Sequence, residues 1–432
     1  MPNDLLCAIL DSAKETELKQ QTAPVALLAA LTCFSGLAAA NDPPIWIGTW
    51  ATSPTGLPTE TKVGTYTYPS RVTFDGTIRY RLRISLGGSQ IRLRFSNEYA
   101  SGALALAGAT VGIAADGMNA MPDSLKRVTF GGKRAINIPA GAPALTDPID
   151  LPVKSGSDLV ISAYVPHGIS SVTCTPDYPL ADQTTVAGSD VTREPKISPA
   201  NCLGTLRPLV SEVDVVADRP HKVVVTLGDS ITDGFVDPLT GDRGWPGILA
   251  RGLRNQGVAV VNAGIGGNRL LESVPMAGDA ALARLDRDVF SVPGLSHIIL
   301  LEGINDIGLS GKGGLLGDAP VITPADLIAG YSQIVARAHE RRIKIVCATV
   351  TPFAGVAYQN YYSEDKEAVR EAFNEWIRTS KLCDGVVDFD AAVRDHDHPR
   401  QLAKEFDSGD HLHPNPVGHR KMSDAIDLHL FD

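Results

Sequence analysis

The hydrophobic pattern of this chain changes its period at Asp218-Arg219-Pro220. Ahead of that point, from about Trp46 to Ala217, apolar residues alternate with polar ones. Ile78-Arg79-Tyr80-Arg81-Leu82-Arg83-Ile84 sets Arg on one face and mostly apolar side chains on the other, and Gln90-Ile91-Arg92-Leu93-Arg94-Phe95 repeats the scheme. A period of two is that of a strand with one covered face, and short runs broken by Gly, Pro and Asp predict an all-β sandwich, jelly-roll-like in character. The Arg rows are expected on a solvated sheet face, Trp46 and Trp50 at a strand-edge core, and His167 to Leu209 in a long loop region. Beyond residue 218 the runs are continuous: Lys222–Leu227, Val258–Val261, His297–Leu301, Ile343–Val350 and, more weakly, Val386–Phe389. Strands buried on both faces have this signature. Helical patterns separate them. Thr323-Pro324 is a cap with Pro at the first helical position, and Ser363-Glu364-Asp365 places negative charge at a helix amino terminus. Strand–helix alternation predicts a doubly wound α/β domain with a parallel sheet, whose ligand site lies at the carboxyl ends of the strands.

Residues 1–40 follow neither pattern. Ala23 to Ala40 is uncharged and ends in small residues, as the apolar core and cleavage region of an export signal do. Lys14 and Lys19 are outnumbered by Asp4, Asp11, Glu15 and Glu17, which favours a start at Leu18 for the leader. The expected organisation is a leader at 1–40, a β-sandwich at 41–217 and an α/β domain at 218–432, in a protein that is secreted or periplasmic. No other run approaches membrane length, so no stable membrane insertion is expected after the leader leaves. With 39 Lys and Arg against 49 Asp and Glu, the formal charge of −10 argues against nucleic acid as a partner. Of the six cysteines, Cys174 and Cys202 lie in Pro/Ser/Asn-rich loop sequence and are a possible disulfide, while Cys347 is expected as a small buried residue of an apolar strand. No Cys/His spacing suggests a structural zinc site.

Four short blocks follow the strand ends: Gly228-Asp229-Ser230-Ile231-Thr232, Asn262-Ala263-Gly264-Ile265-Gly266-Gly267-Asn268, Glu302-Gly303-Ile304-Asn305-Asp306, and Asp410-His411-Leu412-His413-Pro414 near the chain end. A Ser at a helix amino terminus, a glycine loop whose N–H groups approach a ligand, an Asn amide and an Asp/His pair are together the parts for acyl transfer. Each part alone is an ordinary turn or cap. Their occurrence in order at the strand ends of one α/β domain gives them meaning.

The blocks GDSIT, NAGIGGN, GINDIG and DHLHP resemble those of the SGNH (GDSL-type) hydrolase superfamily, from about Val223 to the end of the chain. The leading half, with WIGTWATSP and RFSN, resembles a two-domain secreted branch that includes acetylxylan-esterase-like members. The resemblance implies a three-layer, flavodoxin-like catalytic domain in a serine esterase that needs no cofactor and no metal. Carried over, Ser230 is the nucleophile, His413 its general base and Asp410 the group that orients the imidazole. The Ser230 N–H, the Gly267 N–H and the Asn305 amide form the oxyanion hole, with Gly267 chosen over Gly264 and Gly266 by its position after Asn262. Asp229, Asp233 and Asp306 are expected to hold loop backbones. The implied partner is a small ester or an acetylated polysaccharide such as acetylxylan, and the Leu309–Val321 stretch is a candidate flank of the cleft. Three other readings stay open on sequence: a short-chain aryl or lipid esterase of the same fold, a metal-dependent hydrolase using His396, His398, His411, His413 and His419, and a non-catalytic glycan-binding protein.

Overall fold

The continuous apolar runs become a five-stranded sheet in which every strand is parallel to its neighbours. Its order is Val258–Gly264, Lys222–Gly228, Leu295–Leu301, Lys344–Ala348, Gly385–Val387. This is a computed structural model, and it describes residues 43–56, 62–63, 66–67, 71–172, 183–197, 209–219, 221–234, 242–274 and 277–432. The strand Lys222–Gly228 shows why its sequence does not alternate. Val223, Val225 and Leu227 enter one core, with Tyr331, Ile334 and Phe373, while Val224 enters another, with Trp245, Leu249 and Met422. Helices Pro324–Glu340 and Glu364–Thr379 cover the first face; Gly244–Leu253 and Pro416–Asp424 cover the second. Both expected caps are present: Thr323 exchanges bonds with Asp326 in a capping box, and Ser363 accepts from the Lys366 N–H. The last run is shorter than its sequence suggests. Its strand ends at Val387, where Asp388 caps a helix starting at Phe389.

The sheet order carries a functional consequence. The chain leaves Lys222–Gly228 for one neighbour and later returns to lay Leu295–Leu301 on its other side. A crevice therefore opens between the carboxyl ends of these two strands, the topological switch point where doubly wound folds bind ligands.

The leading half contains a four-stranded sheet, ordered Ile45–Ala51, Val210–Ala217, Ile91–Ser96, Pro143–Leu145, and a five-stranded sheet, ordered Gln183–Ala187, Arg71–Arg83, Asp158–Val172, Gly108–Ile113, Lys126–Arg127. All pairings within them are antiparallel. Ile47, Leu93, Phe95 and Val213 of one sheet share a core with Ile78, Tyr80, Ile161 and Val165 of the other. Residues 44–432 form one compact unit. Within it Gly48 donates to the Pro293 carbonyl at 2.8 Å, Val260 N–H donates to Ser85 Oγ at 3.2 Å, and Tyr99 Oη donates to Asp279 Oδ2 at 2.6 Å. A side chain at Gly48 would meet Val292 Cγ1 at 2.5 Å, so close backbone approach requires glycine there.

Three expectations need correction. The Arg rows are not a solvated face. Arg79 is fully buried and donates to Ser162 Oγ and to the carbonyls of Met118, Glu194 and Pro195; Arg81 and Arg83 pair with Asp158, Arg92 with Asp214 and Arg94 with Glu212. Chain from the stretch expected to be a loop supplies two of those carbonyl partners, Glu194 and Pro195, and it also contributes the strand Gln183–Ala187 to the sheet edge beside Arg71–Arg83. Cys347 is buried as expected, but it is disulfide-bonded to Cys383 across 36 positions of sequence. Cys174, Cys202 and residues 1–40 lie outside the described residues.

Closing a loop of that size restrains the unfolded chain by about 4 kcal/mol in the chain-entropy account. The double variant Cys347→Ala/Cys383→Ala is expected to unfold at lower urea concentration by a corresponding amount, measured against the oxidised parent. An unchanged midpoint would show that the bond does not restrain the chain.

Candidate active site

Ser230 is the first residue of a one-turn helix, Ser230–Asp233, that begins two residues beyond its strand. The turn is tight because a side chain at Gly228 would lie 2.1 Å from Thr232 Oγ1 and 2.6 Å from the Leu301 carbonyl. Asp229 caps the helix by accepting from the Ile231 N–H at 2.9 Å. The Ser230 N–H therefore stands among amides that have no carbonyl partner in the turn before them.

From the other end of the chain, the loop after Phe406 brings His413 to this serine. Ser230 Oγ lies 2.8 Å from His413 Nε2, and His413 Nδ1 lies 2.5 Å from Asp410 Oδ2. Asp410 Oδ1 accepts from the backbone N–H of Leu412 and His413 and from Ser408 Oγ, so its carboxylate is held from several sides. Burial pushes the Asp410 carboxyl up, but the His413 ring, through its hydrogen bond and charge, and the two N–H groups outweigh it and hold Asp410 well below the usual carboxylate range. An ionised Asp410 at Nδ1 keeps the proton on that nitrogen and leaves Nε2 as the acceptor for the serine hydroxyl. The neighbouring histidine does something else: His411 Nδ1 faces Asp407 Oδ2 at 2.6 Å. His396 and His398 are exposed and His419 is buried; among the described residues no group of three or more His, Cys, Asp or Glu is placed to hold a metal ion.

The second and third blocks meet across the switch-point crevice. Ile265 N–H donates to the Gly228 carbonyl, and the turn closes with Asn268 N–H on the Ile265 carbonyl. Gly267 sits in it at φ +76°, a left-handed conformation that favours glycine. Its N–H bonds to no described residue, which leaves it available as a donor. Asn305, on the helix Ile304–Gly308 that follows strand Leu295–Leu301, donates from Nδ2 to the Asn268 carbonyl at 3.0 Å. The glycine loop and the Asn amide are thus joined directly. Asp306, on the same helix, accepts from Leu270 and Leu271 N–H, holding backbone as expected. The hairpin formed by Gly311–Gly314 and Gly317–Ala319 is tied by Asn360 Nδ2, at the Gly313 carbonyl, to the turn before Tyr361. Tyr361 itself reaches Asn305.

Residues 226–421 match the family model of the GDSL-like lipase/acylhydrolases. Residues 226–421 form a domain of that family. It is a hydrolase of carboxylic esters. No curated protein matches the chain. Solved structures similar to part of this chain include a GDSL-like lipase from Bacteroides thetaiotaomicron, at 16% identity over 49% of this chain and 88% of that one, with a TM-score of 0.35. A member of the lipolytic G-D-S-L family from Veillonella parvula is similar at 20% identity over 47% and 95%, with a TM-score of 0.35. A mutant acetyl-xylooligosaccharide esterase from Geobacillus is similar at 18% identity over 48% and 91%, again with a TM-score of 0.35.

Beneath the acylhydrolase site lies a group of buried charges whose centre, Arg284, belongs to none of the four blocks. Arg284 is fully buried and donates to the carbonyls of Gly228 and Ala263, to Asn268 Oδ1, to Ser53 Oγ and to Asp288. Its Nη2 also lies 3.7 Å from Glu302 Oε1, and neither Glu302 oxygen has a hydrogen-bond partner among the described residues. Glu302 opens the third block, as a carboxyl at the end of an otherwise apolar run. Burial, then the Asp229 charge, pushes Glu302 well above the carboxylate range against the pull of Arg284. Burial likewise lifts Asp229 to about 7, with the Ile231 N–H opposing and the Asp306 charge adding, and lifts Asp306 to about 6 against its two backbone N–H bonds and Arg269.

Carboxyls raised in the folded state bind more protons there than in the unfolded chain, whose carboxyls titrate near pH 4. Their contribution is therefore present at low pH and lost as pH rises through the folded values. Thermal unfolding is expected to shift to lower temperature between about pH 4.5 and pH 7.5. Glu302→Gln, which keeps the shape and removes the charge, should flatten that decline. A melting temperature that rises through this window would contradict the charge arrangement.

Proposed function

We propose that the protein is an exported serine esterase that removes O-acetyl groups from a polysaccharide through an acyl-enzyme. The observation that carries the chemistry is the unbroken relay Ser230 Oγ–His413 Nε2 at 2.8 Å and His413 Nδ1–Asp410 Oδ2 at 2.5 Å. A serine hydroxyl is a weak nucleophile at its free pKa, so a base must take its proton during attack. His413 does so at Nε2, and Asp410 stabilises the imidazolium that results. The Ser230 oxygen bonds to the ester carbon, and the carbonyl electrons move onto oxygen. That oxyanion is met by the Ser230 N–H, the Gly267 N–H and the second Nδ2–H of Asn305, the first being spent on the Asn268 carbonyl. A donor of this kind is commonly worth about 3–4 kcal/mol in the transition state. On collapse the C–O bond to the alcohol breaks and the alcohol takes the proton from His413. Water then attacks the acyl-enzyme by the same route and releases the acid.

Support for export comes from the apolar run Ala23–Ala40 and from the Cys347–Cys383 disulfide, since such bonds persist in oxidising compartments. A net charge of −10 suits a neutral, ester-decorated polymer better than a polyanion. The likeness of the leading half to secreted acetylxylan-esterase-like proteins points the same way.

Ser230→Ala is expected to lower kcat on p-nitrophenyl acetate by at least about 10⁴-fold while leaving thermal unfolding unchanged. Retained activity would refute the assignment. The substrate proposal predicts acetate release from acetylated xylan and a fall in kcat/KM as the p-nitrophenyl acyl chain lengthens. A preference for long acyl chains with no acetate release would place the enzyme among lipid esterases.

A further inference from the structure

An amide side chain presents two ends of nearly the same shape, yet only one of them stabilises an oxyanion. Asn305 must turn Nδ2–H toward the substrate, because Oδ1 in that place would repel the developing charge. The Asn268 carbonyl, a pure acceptor, takes one Nδ2 hydrogen at 3.0 Å. The other end of the amide is met by Tyr361, whose hydroxyl lies 2.8 Å from Asn305 Oδ1. Tyr361 is 2% exposed, and burial raises its hydroxyl well above the usual phenol range, so it keeps the proton that it donates. Its more distant neighbour, the Ile304 carbonyl at 3.3 Å, competes weakly.

The surroundings hold the ring in this position. Gly308, which closes the GINDIG block, has no role in the acyl-transfer parts, but a side chain there would lie 2.2 Å from Tyr361 Cζ. The ring therefore occupies the space that this glycine leaves on the helix carrying Asn305. Phe353 and Tyr358 pack edge-on against it at 6.1 and 5.9 Å between ring centroids. Lys366 Nζ donates to both the Gly308 and the Asn360 carbonyls, clasping the Asn305 helix to the turn that bears Tyr361.

We propose that Tyr361 is the positioning residue of the oxyanion hole: its hydroxyl holds Oδ1 of Asn305 so that the second Nδ2–H faces the oxyanion, and Gly308 admits its ring. Donation into Oδ1 also polarises the amide, strengthening the Nδ2–H as a donor. The proposal rests on the assignment of Asn305 to the oxyanion hole.

Tyr361→Phe keeps the ring and removes only the hydroxyl. It is expected to lower kcat about tenfold with KM within about twofold of the parent, since one hydrogen bond acting in the transition state is at stake. In the Asn305→Ala background, itself expected to lose about 10²–10³ in kcat, the same change should cost nothing more. A purely structural role predicts that the two losses multiply, and that outcome overturns the proposal. So does Tyr361→Phe with unchanged kcat, or with a raised KM alone. A fully active Ser230→Ala or Asn305→Ala enzyme would instead strike at the underlying assignment.

Discussion

The site depends on one buried guanidinium. Arg284 reaches the carboxyl ends of two adjacent parallel strands through the Gly228 and Ala263 carbonyls, holds Asn268 by its side-chain oxygen, and reaches into the leading half at Ser53. These are the backbone positions from which Ser230 and the glycine loop depart. Strand ends have carbonyls that no further strand can satisfy, and a planar group with five N–H donors binds several of them at once. Its charge is compensated by Asp288 and approached by Glu302. Removing one partner of such a buried set costs about 3–5 kcal/mol, because the others are left uncompensated.

This arrangement explains why the leading half is joined to the acylhydrolase half within one compact unit. The first strand runs past the α/β sheet with Gly48 on the Pro293 carbonyl, and Ser53 meets Arg284 beneath the turn that bears Ser230. Tyr99, Arg287 and Asp279 form a second tie close to Asn268, whose Nδ2 donates to the Asp279 carbonyl. The sandwich is therefore part of the support of the glycine loop.

The residues of the candidate site and their supports differ in how they reach it. Ser230, Gly267 and Asn305 each follow the end of a parallel strand, so the sheet places all three at its carboxyl-terminal edge. His413 and Asp410 come from a loop near the chain end and share it, which lets Asp410 bind both the ring and the backbone N–H of His413. Tyr361 arrives from a separate turn and reaches the same point only through the gap at Gly308.

Much of this was legible in the residues themselves. Period-two alternation and continuous apolar runs distinguish a one-sided from a two-sided strand, so both halves of the fold could be read locally, as could the caps at Thr323 and Ser363. The four blocks were legible because a serine, a glycine loop, an Asn amide and an Asp/His pair are chemically distinctive residue types at strand ends. The Arg rows, the strand Gln183–Ala187 and the Cys347–Cys383 bond were not, because what covers a sheet face, or which thiol another meets, depends on chain far away in sequence. Arg284, Glu302 and Tyr361 lay beyond local reading for the same reason. Much of their significance lies in distant partners, such as Asn268 and Ser53 for Arg284, 16 and 231 positions away, which no spacing rule connects. Local sequence determined the elements and the reacting groups. Only the tertiary structure decided which buried charges and which hydroxyl hold those groups in place, because burial and hydrogen-bond geometry arise when distant segments pack.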